Sequence, residues 1–187
     1  KKFITNDKSF TTHTKIGNIE KNIFGNKYHV SKENETEFYK IYRKFVFASK
    51  CDSYLTEKQL DIGKIAIDVD FRYDSSVTEK QHTNEHIDDF IELVLNICNK
   101  LFLNILNKSI HFYIMEKENV NTCEGKTKDG IHIIINIICD FTTKMILRKL
   151  ILEEISNIWD DLPIINSWED VFDEGVMKGS VNWQLYG

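Results

Sequence analysis

Residues that interrupt regular structure are scarce in this sequence: of its 187 residues, one is proline and eight are glycine. A long flexible linker is therefore not expected, and the length suits a single domain with a substantial core. The sequence also lacks any apolar run near the roughly 20 residues that a membrane-spanning helix requires. The four cysteines form no CxxC pair and no signal peptide is visible, which favours reduced thiols in a cytosol-like compartment over secretion.

Basic residues are also fewer than acidic residues. The chain has 24 Lys and Arg against 29 Asp and Glu, which gives a formal net charge of −5 and a pI of about 5.7. These values exclude a uniformly basic surface but are compatible with a local basic groove that binds nucleic acid. Because the sequence begins with KKFITND rather than with methionine and stops at LYG, we interpret residues 1–187 as one domain cut from a longer protein.

Apolar residues recur at helical spacing in some segments and form dense β-type runs in others. The helices are predicted from Ser31 to about Lys50, from Thr83 with an apolar stripe that reaches Ile105, and from Thr142 or Thr143 to Trp159. The strands are predicted at residues 64–73, 109–116 and 130–139. Residues 1–30 read as irregular, and the segment after Pro163 reads as irregular strands. This order indicates an α+β or α/β protein with an open mixed sheet and helices on one side.

The first predicted strand carries two aspartates inside an otherwise apolar run, IAIDVDFRY. Alternate residues of a strand share a face, so Asp68, Asp70 and Arg72 point away from the core. The two aspartate Cα atoms would lie about 7 Å apart, a spacing from which both carboxylates reach one divalent cation or a pair. Mg²⁺ or Mn²⁺ would then neutralise two charges that are costly to bury. The alternative is a pair of solvated aspartates on an edge strand.

A second polar set lies in KTKDGIHIIIN, residues 126–136. Gly130 and His132 share a strand face and Lys128 projects the same way, whereas the isoleucines between them pack on the other side. Imidazole and ammonium groups both bind phosphate, and a glycine lets another group approach the backbone closely. The set therefore indicates a phosphate contact, and the alternative is a core histidine that follows a turn glycine.

WEDVFDEGVMKG supplies a third candidate carboxylate. Asp173 follows two apolar residues and is expected at the start of a strand, from which it would complete a metal site. Glu169, Asp170 and Glu174 are rival ligands, and a solvated acidic turn is the alternative.

In this order, the segments IDVDFRY, KDGIHIII and VFDEGV followed by NWQLYG resemble the three-motif signature of the archaeo-eukaryotic primase superfamily. The chain looks most similar to the primase domain of the primase–helicase proteins of large nucleocytoplasmic DNA viruses, and residues 12–42 resemble the lead-in of that group. The resemblance implies a two-lobed primase catalytic core with a sheet of modified RNA-recognition-motif type. It divides the chain into a helical N-terminal lobe at 1–60 and a metal-binding catalytic lobe at 61–187.

The resemblance also implies roles for individual residues. Asp68, Asp70 and Asp173 would hold two divalent ions, Mg²⁺ or Mn²⁺. His132 would contact the phosphates of the incoming nucleotide.

By position, Arg72 and Lys128 would help to hold the triphosphate. The implied activity is DNA-template-directed nucleotidyl transfer, which makes short primers from NTP or dNTP on a single-stranded DNA template during viral replication. The implied location is the host cytoplasm or a viral replication factory. A C-terminal helicase domain of the same full-length chain is an expected partner, and a membrane is not.

Other functions remain open at this point. A metal-dependent nuclease or phosphohydrolase also uses clustered aspartates, and a DxD glycosyltransferase fits the size and the second motif less well. A non-catalytic single-stranded nucleic-acid-binding module would keep the fold without the chemistry, although the presence of all three acids argues against it. The sequence does not distinguish NTP from dNTP as the preferred substrate.

Overall fold

Each of two units has its own sheet and core in the computed structural model, which describes residues 2–103 and 109–185. The first unit contains the chain up to Gln59 together with the segment that begins at Val181, and the second unit extends from Leu60 to Ser180. The C-terminal segment therefore belongs to the first unit rather than to the unit that holds residues 61–180.

The frame of the first unit is an antiparallel sheet with the strand order β2-β1-β3-β8. Its strands are β1 His13–Lys15, β2 Asn26–Tyr28, β3 Leu55–Glu57 and β8 Trp183–Gln184. The prediction of irregular structure before residue 30 is wrong for the first two of these strands. Strands of two or three residues are too short to show the alternation that identifies a strand in a sequence. The unit that was expected to be helical is thus built on a sheet.

The helix predicted from Ser31 to Lys50 is divided into three pieces. They are a 3₁₀ turn at Lys32–Asn34, α1 at Glu35–Arg43 and a π-helical stretch at Lys44–Ala48. Ser31 makes no capping hydrogen bond with its side chain, so the segment lacks the start signal that its position suggested. Phe38 on α1 packs with Val30 and Leu55 in a small core of the first unit.

The second unit is built on another antiparallel sheet, with the order β4-β7-β5 and with β6 also paired to β7. Its strands are β4 Ile62–Asp74, β5 Phe112–Glu116, β6 Asn121–Cys123 and β7 Lys126–Asp140. The three predicted strands are confirmed, and β7 begins earlier than predicted because Lys126 to Asp129 continue the pairing with β4. Every pairing between the described strands of the two sheets is antiparallel, so the fold is α+β and the sheet is not mixed.

Helices α2 Asn84–Leu101 and α3 Phe141–Ile158 contribute their apolar residues to one core with the inward side of β4 and β7. The inward residues Ile67 and Val69 of β4 are fully buried. Behind them, the ring of Trp159 stacks on Phe90 and Phe172 with centroids 5.2 and 6.1 Å apart. The predicted placement of helices on one side of the sheet is confirmed for this unit, and the opposite sheet face carries the polar motifs.

Capping residues set the starts of both long helices. The backbone N–H of Thr83 donates to Nδ1 of His86 at 3.1 Å, and α2 begins directly after Thr83, as predicted. α3 begins slightly earlier than predicted, because Asp140 accepts a hydrogen bond from the backbone N–H of Thr143. The predicted continuation of the α2 stripe to Ile105 lies outside the described residues.

The segment after Pro163 contains two single-turn helices before β8, where irregular strands were predicted. These are α4 Trp168–Val171 and α5 Glu174–Met177. The four cysteines carry free thiols, as expected. Within the described ranges, no helix combines the length and the apolar composition that crossing a bilayer requires.

Gly130 lies at very short range from the backbone of β4. A Cβ atom added to it would lie 2.6 Å from the carbonyl oxygen of Val69. We expect Gly130→Ala to lower the free energy of unfolding by about 1–3 kcal/mol, because the paired strands have to separate to admit the methyl group. Urea denaturation followed by circular dichroism measures this change.

Gly63→Ala on the same strand pair is the matched control. Its Cβ atom would meet Leu60 at 3.4 Å, which is ordinary contact, so little change is expected. Equal destabilisation by the two substitutions would contradict the steric explanation.

Candidate metal and nucleotide site

The register between β4 and β7 brings the two polar motifs onto one face of the sheet. The paired positions are Asp68 with His132, Asp70 with Gly130, and Arg72 with Lys128. Directly opposite residues of an antiparallel pair point to the same side. Since α2 and α3 pack on the other side, these side chains share the face that the helices leave uncovered.

Asp68 and His132 are in direct contact. Oδ1 of Asp68 lies 3.1 Å from Nε2 of His132, and the two side chains are 20% and 34% exposed. Despite this distance, Oδ1 is buried and accepts no hydrogen bond of suitable angle from the described residues. Leaving a buried acceptor unsatisfied costs on the order of 1–3 kcal/mol. This oxygen is therefore suited to binding a cation.

Asp70 shows the repulsion that a second carboxylate creates. Burial raises the pKa of Asp70, and the nearby Asp68 raises it further. Lys117 and His132 act in the opposite direction, and Asp173 adds a smaller upward contribution to the pKa. A raised pKa means that the negative charge of Asp70 is incompletely compensated by its surroundings. The other two predicted metal ligands thus both act on the charge of Asp70.

Asp173 reaches this region through the segment that precedes it. Phe172 forms an isolated antiparallel bridge with Val69, and the backbone N–H of Asp173 donates to the carbonyl oxygen of Asp68 at 3.2 Å. The prediction that Asp173 starts a strand is wrong, because it is the N-cap of α5. Its Oδ1 accepts a hydrogen bond from the backbone N–H of Gly175 at 2.6 Å. Both capping hydrogen bonds, from Gly175 and Val176, go to Oδ1 and not to Oδ2.

Two residues that the sequence analysis missed fix the surroundings of Asp173: Arg148 ties the Phe172 segment to α3, and Asn166 pairs with β4. Arg148 on α3 donates from Nε and Nη2 to the carbonyl oxygen of Phe172, at 3.0 and 2.9 Å. Asn166 accepts a hydrogen bond from the backbone N–H of Arg72 at 2.9 Å and donates to the carbonyl oxygen of Asp70 at 3.0 Å. The edge of β4 that does not face β7 therefore pairs with the side-chain amide of Asn166 and with Phe172 through its bridge to Val69. No sequence pattern marks such residues, because their partners are backbone atoms far away in the chain.

Arg72 and Lys128 are predicted to bind phosphate, and both side chains are half-buried. In the described ranges, the lysines that form ion pairs are Lys2, Lys21, Lys80 and Lys149. The charged groups of Arg72 and Lys128 have no carboxylate partner in that part of the chain. A positive charge without an acidic partner, on the same face as a histidine, is suited to an anionic ligand.

A complete metal site is not preformed. The described ranges contain no group of three or more His, Cys, Asp or Glu side chains arranged to hold a metal ion. Asp68 and Asp70 nevertheless fit a cation, because one has a buried unsatisfied oxygen and the other a raised pKa. Carboxylate oxygens suit Mg²⁺ or Mn²⁺, which complete their coordination with water and substrate phosphates. Asp173 or a bound substrate would supply the remaining ligands.

A buried charged network supports β7 from the core side. Nε2 of His82 lies 2.6 Å from Oε1 of Glu116. Nδ1 lies 3.1 Å from Oδ2 of Asp129, an ion-pair contact in which neither atom makes a hydrogen bond of suitable angle with the described residues. The side chains of His82 and Asp129 are 1% and 0% exposed. Asp129 also accepts a hydrogen bond from the backbone N–H of Gly130 at 2.8 Å. The network therefore fixes the part of β7 that faces Asp70.

The network is stabilised by charge. Burial lowers the pKa of His82, but its bonds to Asp129 and Glu116 outweigh burial and leave the pKa raised. Burial raises the pKa of the carboxyl groups of Glu116 and Asp129, but their interactions with His82 and Lys80 prevail and hold each pKa below its ordinary value. An imidazolium between two carboxylates is the arrangement that these shifts favour.

Comparison with known proteins identifies the class. Residues 17–187 match the family described as the C962R protein N-terminal AEP domain, where AEP denotes archaeo-eukaryotic primase. Because the match spans nearly the whole sequence, the chain belongs to this family of primase-type domains.

The chain is also similar to the putative helicase L207/L206 of Acanthamoeba polyphaga mimivirus, with 30% identity over 167 residues. The match covers 86% of this chain and 17% of that relative's length. The predicted membership in the archaeo-eukaryotic primase superfamily, in its viral primase–helicase group, is confirmed by these two similarities.

The charged network predicts a specific pH dependence of stability. A group whose pKa is raised by folding stabilises the protein below its unfolded pKa, here 6.5, and loses that contribution as the pH rises through the folded pKa. We expect His82→Gln to cost roughly 3 kcal/mol near pH 6, because it removes the cationic partner of the buried Asp129, whereas Glu116 keeps its ion pair with Lys80. The substitution should also reduce the loss of unfolding free energy that the wild type shows as the pH rises through the folded pKa of His82. Urea denaturation between pH 5 and pH 9 measures both effects.

His111→Gln, at an exposed histidine of the same unit, serves as the control and should leave the profile unchanged. If the stability of His82→Gln falls as steeply as that of the wild type between pH 6 and pH 9, a stabilising imidazolium at His82 is excluded, because the other titrating groups are common to both proteins.

Proposed function

We propose that this chain is the catalytic domain of a DNA-template-directed primase, a nucleotidyltransferase that joins NTP or dNTP into short primers. The observation that carries the proposal is the arrangement of Asp68 and Asp70 beside His132 on one uncovered sheet face. Membership in the family supports a primase-type nucleotidyltransferase role in viral replication. Primer synthesis on single-stranded DNA is the finer step that the experiment below tests.

In the proposed mechanism, Asp68, Asp70 and Asp173 hold one or two Mg²⁺ or Mn²⁺ ions. When bound, such ions lower the pKa of an attacking hydroxyl group and stabilise charge on the leaving pyrophosphate. β4 holds Asp68 and Asp70 at fixed spacing, and the hydrogen bond from the Asp173 backbone to Asp68 keeps the third carboxylate nearby. Little rearrangement of the backbone is then needed when substrate binds.

The basic residues of the same face bind the triphosphate in this proposal. The ring of His132 lies beside Asp68, with Nε2 3.1 Å from Oδ1. Arg72 and Lys128 lie opposite each other, two residues along the strands from Asp70 and Gly130, and contribute positive charge. Fixed cations of this kind bind the ground state and also stabilise negative charge that develops on phosphate oxygens.

We further propose that the full-length protein joins this domain to a helicase. The relative to which the chain is similar is named a putative helicase, and it is much longer than the matched region. Single-stranded template, nucleotides and the helicase would then be the partners of this domain.

A non-catalytic nucleic-acid-binding module is the second candidate. One observation favours it: the described residues do not contain a preformed group of three metal ligands. Binding needs no such group, whereas catalysis requires the ligand set to be completed by Asp173 or substrate.

Asp68→Asn and Asp70→Asn each keep the size of the side chain and remove its charge. Each should reduce nucleotide incorporation on an unprimed single-stranded DNA template by at least about 100-fold, because a ligand that holds the metal is removed. The assay measures labelled NTP or dNTP incorporation in the presence of Mg²⁺ or Mn²⁺.

Asp61→Asn removes an exposed carboxylate just before β4 and should retain activity. Cleavage of the template instead of synthesis would assign a nuclease. Binding of DNA by the wild type, with neither synthesis nor any response to Mn²⁺, would assign the non-catalytic module.

The carboxylate repulsion can be tested without catalysis. Folding raises the pKa of the Asp70 carboxyl group, so its negative charge destabilises the folded protein at neutral pH. In EDTA, Asp70→Asn removes this charge and should therefore raise the melting temperature. Adding Mn²⁺ should raise the melting temperature of the wild type by mass action and have little effect on Asp70→Asn. Asp61→Asn should respond to Mn²⁺ as the wild type does, and an equal response of Asp70→Asn would argue against a metal ion at this position.

A further inference from the structure

Formal charge is distributed unevenly between the two units. The first unit has twelve Lys and Arg residues against seven Asp and Glu residues, a formal charge of +5. The second unit has twelve against twenty-two, a formal charge of −10. The overall acidity of the chain therefore conceals a basic unit. A polyanion that binds this protein is attracted to the first unit more than to the second.

A hairpin of the first unit exposes basic and aromatic side chains. β1 and β2 are extended by a bridge in which Asn18 and Ile23 exchange backbone hydrogen bonds of 2.9 and 2.8 Å. Lys21 is exposed in the turn, and Phe24 is 75% exposed directly after the bridge. A phenylalanine ring that is mostly exposed next to a lysine has an apolar face available to a ligand.

A cleft of about 590 Å³ lies beside this hairpin. The lining residues that carry the argument are Lys15, Lys21, Phe24, Phe45, Lys50 and Asp52. The ammonium of Lys15 lies 5.6 Å from the centroid of the Phe45 ring, and that of Lys21 lies 2.6 Å from Oδ2 of Asp52. Three lysines and one aspartate line the cleft, so its net charge is positive.

This combination of groups matches the chemistry of single-stranded nucleic acid. Lysines bind the phosphates, and aromatic rings stack on bases that are not already stacked in a duplex. Phe45 is 42% exposed, so both rings have surface to offer. The amides of Asn22 and Asn26 line the same cleft and supply hydrogen-bond donors and acceptors for sugars or base edges.

We propose that this cleft of the first unit binds single-stranded DNA. Lys15, Lys21 and Lys50 contact the phosphates, and Phe24 and Phe45 stack on bases. The inference deepens the proposed function, from which it takes only that the substrate is single-stranded DNA. It is therefore tested by binding alone, under conditions in which no synthesis occurs.

The test variant combines Phe24→Ala, Lys21→Gln and Lys50→Asn, all at exposed positions. Asparagine suits position 50, where the backbone φ is +51°. The affinity of the whole 187-residue chain for fluorescein-labelled oligothymidylate of about 15 nucleotides is measured by fluorescence anisotropy in EDTA. Removal of one stacking ring alone should weaken binding about tenfold. The slope of log K against log salt should fall by about 0.7 for each lysine–phosphate interaction that the variant removes.

The matched control combines Phe10→Ala, Lys8→Gln and Lys58→Gln. It removes the same residue types from exposed positions of the same unit that do not line the cleft. Weakened binding by the test variant alone supports the proposal. Equal binding by the two variants overturns it. Binding of the wild type to phosphatidylserine–phosphatidylcholine vesicles, and not to oligothymidylate, also overturns it and assigns the cleft to a membrane surface.

The two proposals fail separately. Asp68→Asn should bind oligothymidylate as the wild type does, although it loses nucleotide incorporation. If the wild type incorporates no nucleotide but only the cleft variant loses DNA affinity, the proposed function fails and the cleft proposal stands. If the wild type incorporates nucleotide and the cleft variant binds DNA as the wild type does, the proposed function stands and the cleft proposal fails.

Discussion

The antiparallel register between β4 and β7 is the constraint on which the candidate site depends. It places Asp68 opposite His132 and Asp70 opposite Gly130. A slip of one residue would turn both carboxylates toward the apolar core and the isoleucines toward solvent, which burial does not allow. Gly130 contributes directly, because its lack of a Cβ lets the carbonyl oxygen of Val69 approach. The same stretch of β7 that fixes the register therefore also fixes the site.

Charged side chains are stabilised on one face of this sheet and destabilised on the other. On the core side, His82 neutralises two carboxylates, and the pKa shifts of all three groups show that the charged forms are favoured. On the uncovered side, Asp70 has a raised pKa, so its charged form is disfavoured. The uncompensated charge is tolerated because the extensive apolar core behind the sheet supplies the stability. Sites that bind charged ligands often retain this kind of local cost.

Charge is also segregated along the chain, with a basic first unit and a strongly acidic second unit. An acidic unit suits carboxylate ligands for a cation, and a basic unit suits a polyanion such as DNA. A single net charge for the whole chain hides this division. The chain that carries this division belongs to a family of primase-type domains.

The sequence by itself determined the elements whose signal is local. The alternation in IAIDVDFRY predicted the shared face of Asp68 and Asp70, and the apolar stripes predicted α2 and α3, because these patterns depend on neighbours a few residues apart. Only the tertiary structure decided the rest: the register shift in β4 after Lys64, the capping role of Asp173, and the anchors Arg148 and Asn166. The very short strands of the first unit were likewise decided only by the tertiary structure. These features depend on contacts between residues distant in the chain, and no local pattern carries that information.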